Sequence, residues 1–285
     1  MPVEPPVSSP RTLAEAYALL DEDLYRPMAG ATDLLVQIAG ELGSPPERVL
    51  DLWGIDELRG IDVQGDRLSI GALTTFAELR RSPVIARVLP ALAEASATIG
   101  AAQIQNRATI GGNAINASPA GDALPLMLAC DGELVLGSAR GERAVPASAF
   151  WPAYRETARA ADELLLRVEF PVIPAREVRY RKVGTRRAQA ISKVVMALAW
   201  RVDGADRAWQ GVRLALGSVA PTPIRARRTE AVLEGSSPTE EVAARARDTL
   251  ADELEPIDDV RSTAAYRRAV ASRVLHRLLR DEGGW

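Results

Sequence analysis

The sequence predicts an α+β protein of two or three domains. Apolar and polar residues alternate at 164–170 and 212–216, which is typical of half-buried strands, and helical patterns follow from about Thr229 to a final helix beginning near Thr263. Strands that precede helices along a chain favour helices packed on one face of a sheet. With 285 residues, 47% of them hydrophobic, the chain can bury more than one core.

Strands and helices are also mixed in the N-terminal part. Residues up to Pro10 are expected to form a flexible lead, followed by a helix whose start has the capping-box spacing of Thr12 and Glu15. The same spacing recurs at Thr75 and Glu78, and Pro83 suits the first turn of another helix. Further strands are predicted at 25–28, 66–72, 133–136, 142–145, 176–182 and 193–202.

The predicted domain boundaries lie where this pattern breaks. The stretch from Glu47 to Gly60 is rich in turn residues, and a third region begins near Ala175. We therefore divide the chain into residues 1–57, 58–174 and 175–285.

Composition excludes several classes of function. A net charge of −3 does not suit a nucleic-acid-binding protein. The single cysteine, Cys130, excludes an internal disulfide or an iron–sulfur cluster held by this chain alone, and it is expected to be a small core residue. The single histidine, His276, leaves too few ligands for a typical zinc site. No signal core or membrane-spanning run is present, so a cytoplasmic protein is expected.

The segment Ser96–Met127 is the strongest candidate for a ligand site. It combines small residues with amide, hydroxyl and carboxylate groups, and a buried polar loop of this length needs hydrogen-bond partners that a bound cofactor would supply. The turn Ala29–Asp33 is a second candidate, because exposed N–H groups in such turns suit phosphate. Asp122 could instead cap a helix, and Asn113 and Asn116 could be ordinary turn residues.

The residues alone indicate no further chemistry. Paired carboxylates, a nucleophile elbow and a Walker-type lysine are all absent from the sequence. Lys182 could be an ordinary solvated cation or could stabilise an anionic cofactor. The pattern favours a nucleotide-like cofactor in a cleft between two α+β domains, with neither a catalytic side chain nor a metal site on this chain.

Three motifs, in order, carry a resemblance to a known family. They are PMAGATDL at 27–34, QIQNRATIGGN at 103–113 with its continuation to Asp122, and YRKVG at 180–184 with AISK at 190–193. With these motifs the chain resembles the FAD-binding medium subunit of the molybdenum hydroxylases, the group of xanthine dehydrogenase and aerobic carbon monoxide dehydrogenase. The resemblance implies a two-subdomain FAD-binding fold of the PCMH type, residues 1–57 and 58–174. A C-terminal α+β domain of the CO dehydrogenase flavoprotein type would follow at 175–285.

The resemblance also implies which residues bind FAD. The turn at 29–33 and the loop at 109–113 would hold the pyrophosphate through backbone amides, and Asp122 would contact the ribityl or ribose region. Leu165 would contact the adenine end, and Lys182 would lie beside the flavin. The full implied set is Met28, Ala29, Gly30, Ala31, Thr32, Asp33, Ala101, Thr109, Ile110, Gly111, Gly112, Asn113, Asp122, Leu165 and Lys182.

Two positions depart from the family pattern. Ala31 replaces the commoner second glycine, and its methyl group is expected to be tolerated only at a negative φ. Gln105 replaces the usual arginine, which puts an ion pair at that position in doubt. Because the loops contain no histidine, the FAD is expected to be bound non-covalently.

The implied function is electron transfer within a larger enzyme. A molybdopterin-binding large subunit and a small subunit with two iron–sulfur clusters would complete a heterotrimer. The resemblance also allows two such heterotrimers to associate as a dimer. FAD on this chain would pass electrons to NAD, oxygen or another acceptor. Two alternatives stay open: a stand-alone FAD oxidoreductase, and a nucleotide-binding assembly module with a vestigial flavin site.

Overall fold

The computed structural model describes residues 5–40, 44–186, 189–203 and 207–285. Within these residues the strands form three sheets, each with its own helices, which confirms the predicted α+β class. The helices and strands predicted from local patterns are present with shifts of one or two residues at their ends, except that the strand predicted at 212–216 begins at Ala208. The elements are described below sheet by sheet.

The first sheet is small and parallel. Its strand order is β1-β3-β2, and helices α1 and α2 follow β1 and β2 in the chain. The expected flexible lead is wrong for Val7 and Ser8, because they pair with Val49 and Leu50. The elements are β1 Val7–Ser8, α1 Leu13–Glu22, β2 Arg26–Met28, α2 Leu34–Ala39 and β3 Val49–Asp51.

The second sheet has five antiparallel strands in the order β4-β5-β8-β6-β7. The predicted capping box is present, since Thr75 and Glu78 each bond the other's backbone N–H. The strands are β4 Ile61–Gln64, β5 Arg67–Gly71, β6 Glu133–Ser138, β7 Gly141–Pro146 and β8 Leu164–Pro171. The helices are α3 Phe76–Arg81, α4 Pro83–Val88, α5 Pro90–Ser96, α6 Ala102–Gln105, α7 Ile110–Asn116, α8 Leu124–Ala129 and α9 Ala147–Phe150.

The segment Ser96–Met127 differs from the expected long loop. Its Gly-rich part begins helix α7, which Thr109 caps by accepting a hydrogen bond from the Gly112 N–H. The apolar part around Met127 forms α8, which is buried along its whole length. The interleaved apolar residues therefore reflect short helices whose inner faces join the core, rather than anchors of a loop.

The third sheet has the order β12-β11-β10-β9 and carries three helices. The elements are β9 Glu177–Val183, β10 Val194–Asp203, β11 Ala208–Gly217, β12 Ile224–Arg225, α10 Arg227–Leu233, α11 Glu240–Glu253 and α12 Ala264–Gly283. Alternate residues of β10 face opposite sides, so Met196 and Trp200 pack against the C-terminal helices. Val195 and Ala197 join the core of the second sheet. Burial on both faces explains the unbroken apolar run at 194–200.

No helix in the described part of the chain is long and apolar enough to cross a membrane.

Candidate cofactor-binding site

A cleft lies where the first sheet meets the helices of the second. Its floor is apolar and includes Leu58, Leu73 and Phe76, all of them almost completely buried. The cleft brings together predicted FAD-binding residues that are up to 137 positions apart in the chain. These are Met28, Ala29, Gly30, Ala31, Thr32, Asp33, Thr109, Gly111, Gly112, Asn113 and Leu165. An apolar floor with polar groups at its edges is the usual form of a cofactor site.

The turn Ala29–Asp33, the 29–33 turn, presents donors to this cleft. It joins β2 to α2, and within the described residues we find no acceptor for the backbone N–H groups of Gly30, Thr32 and Asp33. Consecutive unpaired N–H groups form a concave site for anions. The site is therefore suited to a phosphate group.

Ala31 has a φ of 64°, so the expectation of a negative φ at this position is wrong. The left-handed conformation turns the chain sharply between β2 and α2, and the Leu35 N–H then donates to the Ala31 carbonyl. A methyl group in this conformation costs about 1–2 kcal/mol, because Cβ lies close to the backbone. The turn is thus held in place at a cost in stability.

Gly30 shows why the turn stays in position. A Cβ at Gly30 would lie well inside van der Waals distance of the Arg107 carbonyl oxygen. The turn therefore packs directly on the backbone that precedes Thr109, and only glycine permits the approach. The side chain of Arg107 is itself held by cation–π stacking on Trp53, with 3.8 Å from Cζ to the ring centroid.

The opposite side of the cleft is the segment Thr109–Asn116, the 109–116 wall. Its N–H groups are already used inside the chain: Ile110 donates to Thr74, Gly111 to Ala72, Gly112 to the Thr109 hydroxyl and Asn113 to the Thr109 carbonyl. These four amides therefore have acceptors inside the chain, and phosphate binding through them stays a prediction. The hydroxyl proton of Thr109 and the side-chain amides of Asn113 and Asn116 are the side-chain donors that this wall offers.

The two adjacent glycines of the wall face different surroundings. A Cβ at Gly111 would lie 2.7 Å from both Cβ and the carbonyl oxygen of Ala72, just beyond β5. A Cβ at Gly112 would meet only the Thr109 hydroxyl at 3.0 Å and the Ala29 methyl group at 4.0 Å. Gly111 thus permits close packing of the wall on the core, whereas Gly112 leaves space in the cleft itself.

Four predicted site residues do not line this cleft. Ile110 is fully buried in the core, and Ala101 is the N-cap residue of α6. Asp122 and Lys182 contact each other, with 2.6 Å between Oδ2 and Nζ, and Nζ also donates to the Thr98 carbonyl at 3.1 Å. The contacts of these four residues with FAD stay predictions.

The Asp122–Lys182 pair connects the third sheet to the helices that accompany the second sheet. Lys182 lies on β9 with only 4% of its side chain exposed, and Asp122 directly precedes Ala123, the N-cap residue of α8. Burial raises the pKa of Asp122, and the Lys182 ammonium opposes this shift. Asp122 Oδ1 is buried without a hydrogen-bond partner in the described chain, so a ligand hydroxyl reaching it would satisfy this acceptor.

Gln105 occupies the position where the family commonly has arginine. Its side chain is almost fully buried, accepts from Arg80 Nη1 at 3.3 Å and donates to the Ala97 carbonyl at 3.4 Å. A neutral amide with partners on both ends needs no counterion. Gln105 thus forms hydrogen bonds, one of them with the charged Arg80 guanidinium, and no ion pair.

Sequence reasoning missed two cations that line the cleft, Arg26 and Arg159. Arg26 immediately precedes the first motif and could have been included with it. Arg159 comes from a turn-rich stretch before β8 and carries no motif, so only the tertiary structure brings it to the cleft. Together the lining groups fit a long, anionic and partly aromatic ligand such as FAD.

The comparisons with known proteins agree with this site. Residues 3–173 match the FAD binding domain in molybdopterin dehydrogenase, and residues 179–281 match the CO dehydrogenase flavoprotein C-terminal domain. The first match alone covers more than half of the chain. The chain belongs to the FAD-binding medium subunits of the molybdenum hydroxylases.

Individual relatives are similar over almost their whole length. The carbon monoxide dehydrogenase medium chain of Hydrogenophaga pseudoflava is 33% identical, over 95% of this chain and 94% of the relative. The xanthine dehydrogenase FAD-binding subunit of Escherichia coli O157:H7 is 31% identical, over 96% and 95%. A solved carbon monoxide dehydrogenase of Hydrogenophaga pseudoflava, lacking the Mo-pyranopterin moiety of its cofactor, superimposes with a TM-score of 0.92 at 31% identity, over 97% of this chain and 96% of the other.

These findings confirm several of the sequence predictions. The chain is an FAD-binding oxidoreductase subunit with a C-terminal domain of the CO dehydrogenase flavoprotein type. A Cu,Mo-CO dehydrogenase is among the similar solved structures.

Proposed function

We propose that this chain carries electrons from the iron–sulfur clusters of a partner subunit, through FAD, to an acceptor such as NAD or oxygen. The observation that supports the proposal most strongly is the cleft between the 29–33 turn and the 109–116 wall, in a chain whose relatives are medium subunits of dehydrogenases. When bound, FAD accepts electrons singly or in pairs and therefore supplies the redox chemistry.

The residues of the chain bind and orient the cofactor. In this proposal the N–H groups of the 29–33 turn bind the pyrophosphate, with the Thr109 hydroxyl as a further donor. Asp122 accepts a hydrogen bond from a ribityl or ribose hydroxyl, Leu165 lies at the adenine end, and Lys182 lies toward the flavin. The division into FAD-binding subdomains at 1–57 and 58–174 and a third domain at 175–285 is part of the same proposal.

The proposed assembly is a heterotrimer with a molybdopterin-binding large subunit and a small subunit that carries two iron–sulfur clusters, located in the cytoplasm. Medium subunits of multi-subunit dehydrogenases among the relatives support this arrangement. The free thiol of Cys130 supports a reducing compartment.

The test is to purify the chain alone and together with its co-expressed genomic neighbours. We expect a yellow protein that forms a stable complex and whose flavin is reduced only when the partner subunits and their substrate are present. A colourless preparation in every context would refute flavin binding. Turnover of an organic substrate by the isolated yellow chain would favour a stand-alone oxidoreductase instead.

A further inference from the structure

The cationic end of the cleft has no role in the function described so far. Arg26 is the first residue of β2. Burial lowers the pKa of Arg159, and the charge of the nearby Arg26 lowers it further. Both side chains line the cleft. Two like charges placed together at one end of a ligand site favour the binding of an anionic group there.

Arg159 is held rigidly. Its Nη1 donates to the carbonyl oxygens of Ala160, Ala161 and Glu163 at 2.9, 3.1 and 2.7 Å. We find no acceptor in the described chain for its Nε and Nη2 atoms. Nη1 is therefore fixed by the backbone, whereas Nε and Nη2 can donate to a ligand in the cleft.

The two carboxylates whose charges act on Arg159, those of Glu163 and Asp162, are each paired with another arginine. Glu163 forms a bidentate pair with Arg143, at 2.6 Å to Nε and 2.7 Å to Nη2. That pairing outweighs burial and lowers the pKa of Glu163, so its charge already has a partner. Arg26 has neither an ion pair nor a side-chain hydrogen bond within the described residues.

The position of the pair indicates which part of a ligand it meets. β2 runs from Arg26 to Met28 and leads directly into the 29–33 turn, so Arg26 lies about 10 Å from the turn at about 3.3 Å per residue. Leu165, the second residue of β8, lines the same cleft, and the proposed function places it at the adenine end of FAD. A dinucleotide whose pyrophosphate occupies the turn would extend one half toward this end.

We propose that Arg26 and Arg159 recognise the adenosine monophosphate half of FAD and thereby make the cleft selective for FAD over FMN. A guanidinium forms bidentate hydrogen bonds with phosphate and stacks on aromatic rings, and both groups are present in adenosine monophosphate. The inference rests on the proposed flavin site, which the experiment below tests separately.

The experiment measures binding to the full chain after removal of flavin. Titrations with FAD, FMN and ADP are compared for the wild type, Arg159→Gln, Arg26→Gln and the control Arg87→Gln, an exposed arginine on α4 away from the cleft. We expect ADP to compete with FAD in the wild type. In both cleft variants the Kd for FAD should rise about tenfold or more, as loss of hydrogen bonds to a charged group implies.

Binding of FMN should stay within about twofold of the wild type in all variants, because FMN lacks the adenosine half. If Arg159→Gln lowers the thermal midpoint of the flavin-free chain, the test rests on the Arg26→Gln variant. The Arg26 side chain forms no hydrogen bond or ion pair among the described residues, so its replacement should not affect stability. An unchanged ratio of FAD to FMN affinity in Arg26→Gln, or failure of ADP to compete, would overturn the inference. Failure of the wild type to bind FAD would refute the flavin site itself.

Discussion

The 29–33 turn and the 109–116 wall are both rich in small residues and line the same cleft, yet their backbones have different roles. In the turn the N–H groups have no acceptors inside the described chain, and Ala31 is held in a left-handed conformation. In the wall the corresponding N–H groups donate to Thr74, Ala72 and Thr109. Small residues thus serve ligand access in one segment and close internal packing in the other. Composition alone does not separate these two uses.

The largest effect is expected from breaking the ion pair between Lys182 and Asp122, which follows the wall in the chain. Lys182→Met leaves the Asp122 carboxylate buried without a counterion, which should lower the free energy of unfolding by about 3 kcal/mol or more. Urea denaturation of the flavin-free chain measures this loss. The double variant Asp122→Asn with Lys182→Met removes both charges and should recover most of it. A loss below about 1 kcal/mol in the single variant would mean that the pair does not stabilise the contact.

Gly111→Val tests the packing role of the wall. Its side chain would overlap Ala72, where a Cβ alone already lies at 2.7 Å, so stability should fall by about 1–3 kcal/mol even without flavin. The thiol of Cys130 reports the change, because burial raises its pKa to about 12 and keeps it protonated and protected at pH 8 while the chain is folded. Faster labelling of Cys130 in Gly111→Val is expected. Normal stability combined with flavin loss would instead place a ligand against Gly111.

Gly112→Val is the matched change one residue further along, and it should act on the ligand. Its side chain would extend into the cleft, so the flavin-free chain should keep its stability. Overlap with the ligand, costing about 1–3 kcal/mol, should weaken FAD binding by about fivefold to 150-fold. Flavin content after purification and titration with FAD measure the effect, with Gly112→Ala as a smaller intermediate. Full flavin content in Gly112→Val would show that the cofactor does not bind against this part of the wall.

Ala31→Gly should have the smallest effect, and in the stabilising direction. Glycine adopts a φ of 64° without the Cβ overlap, which more than offsets its greater freedom in the unfolded chain, for a net gain of about 0.5–1 kcal/mol. Thermal unfolding of the flavin-free chain measures the change. A lower midpoint would show that the alanine methyl group contributes packing that outweighs its strain.

Much of the fold was predictable because its causes are local. The Thr75–Glu78 capping box, Pro83 at the first position of α4 and the hairpin of β6 and β7 depend on neighbours in sequence. The parallel pairing of Val7 and Ser8 was missed because its partner strand lies more than 40 residues away. A two-residue strand also has no periodic pattern to detect.

The candidate site was predictable in its members and not in their roles. Motifs identified both segments of the cleft, but the left-handed φ of Ala31 depends on how the turn packs against Arg107. Arg159 was missed because nothing near it in sequence distinguishes it from a surface arginine. Its exposed edge and its lack of a carboxylate partner are visible only when Glu163 is seen paired with Arg143.

The sequence by itself determined the fold class, the family and the segments that line the cleft, since periodicity, capping and ordered motifs are written in adjacent residues. The tertiary structure decided which N–H groups are free, which glycine faces the core and which faces the ligand, and that Asp122 meets Lys182 across 60 positions. These properties depend on distances between residues remote in the chain. Hydrogen bonds and close packing are short-ranged, so only the folded arrangement decides them.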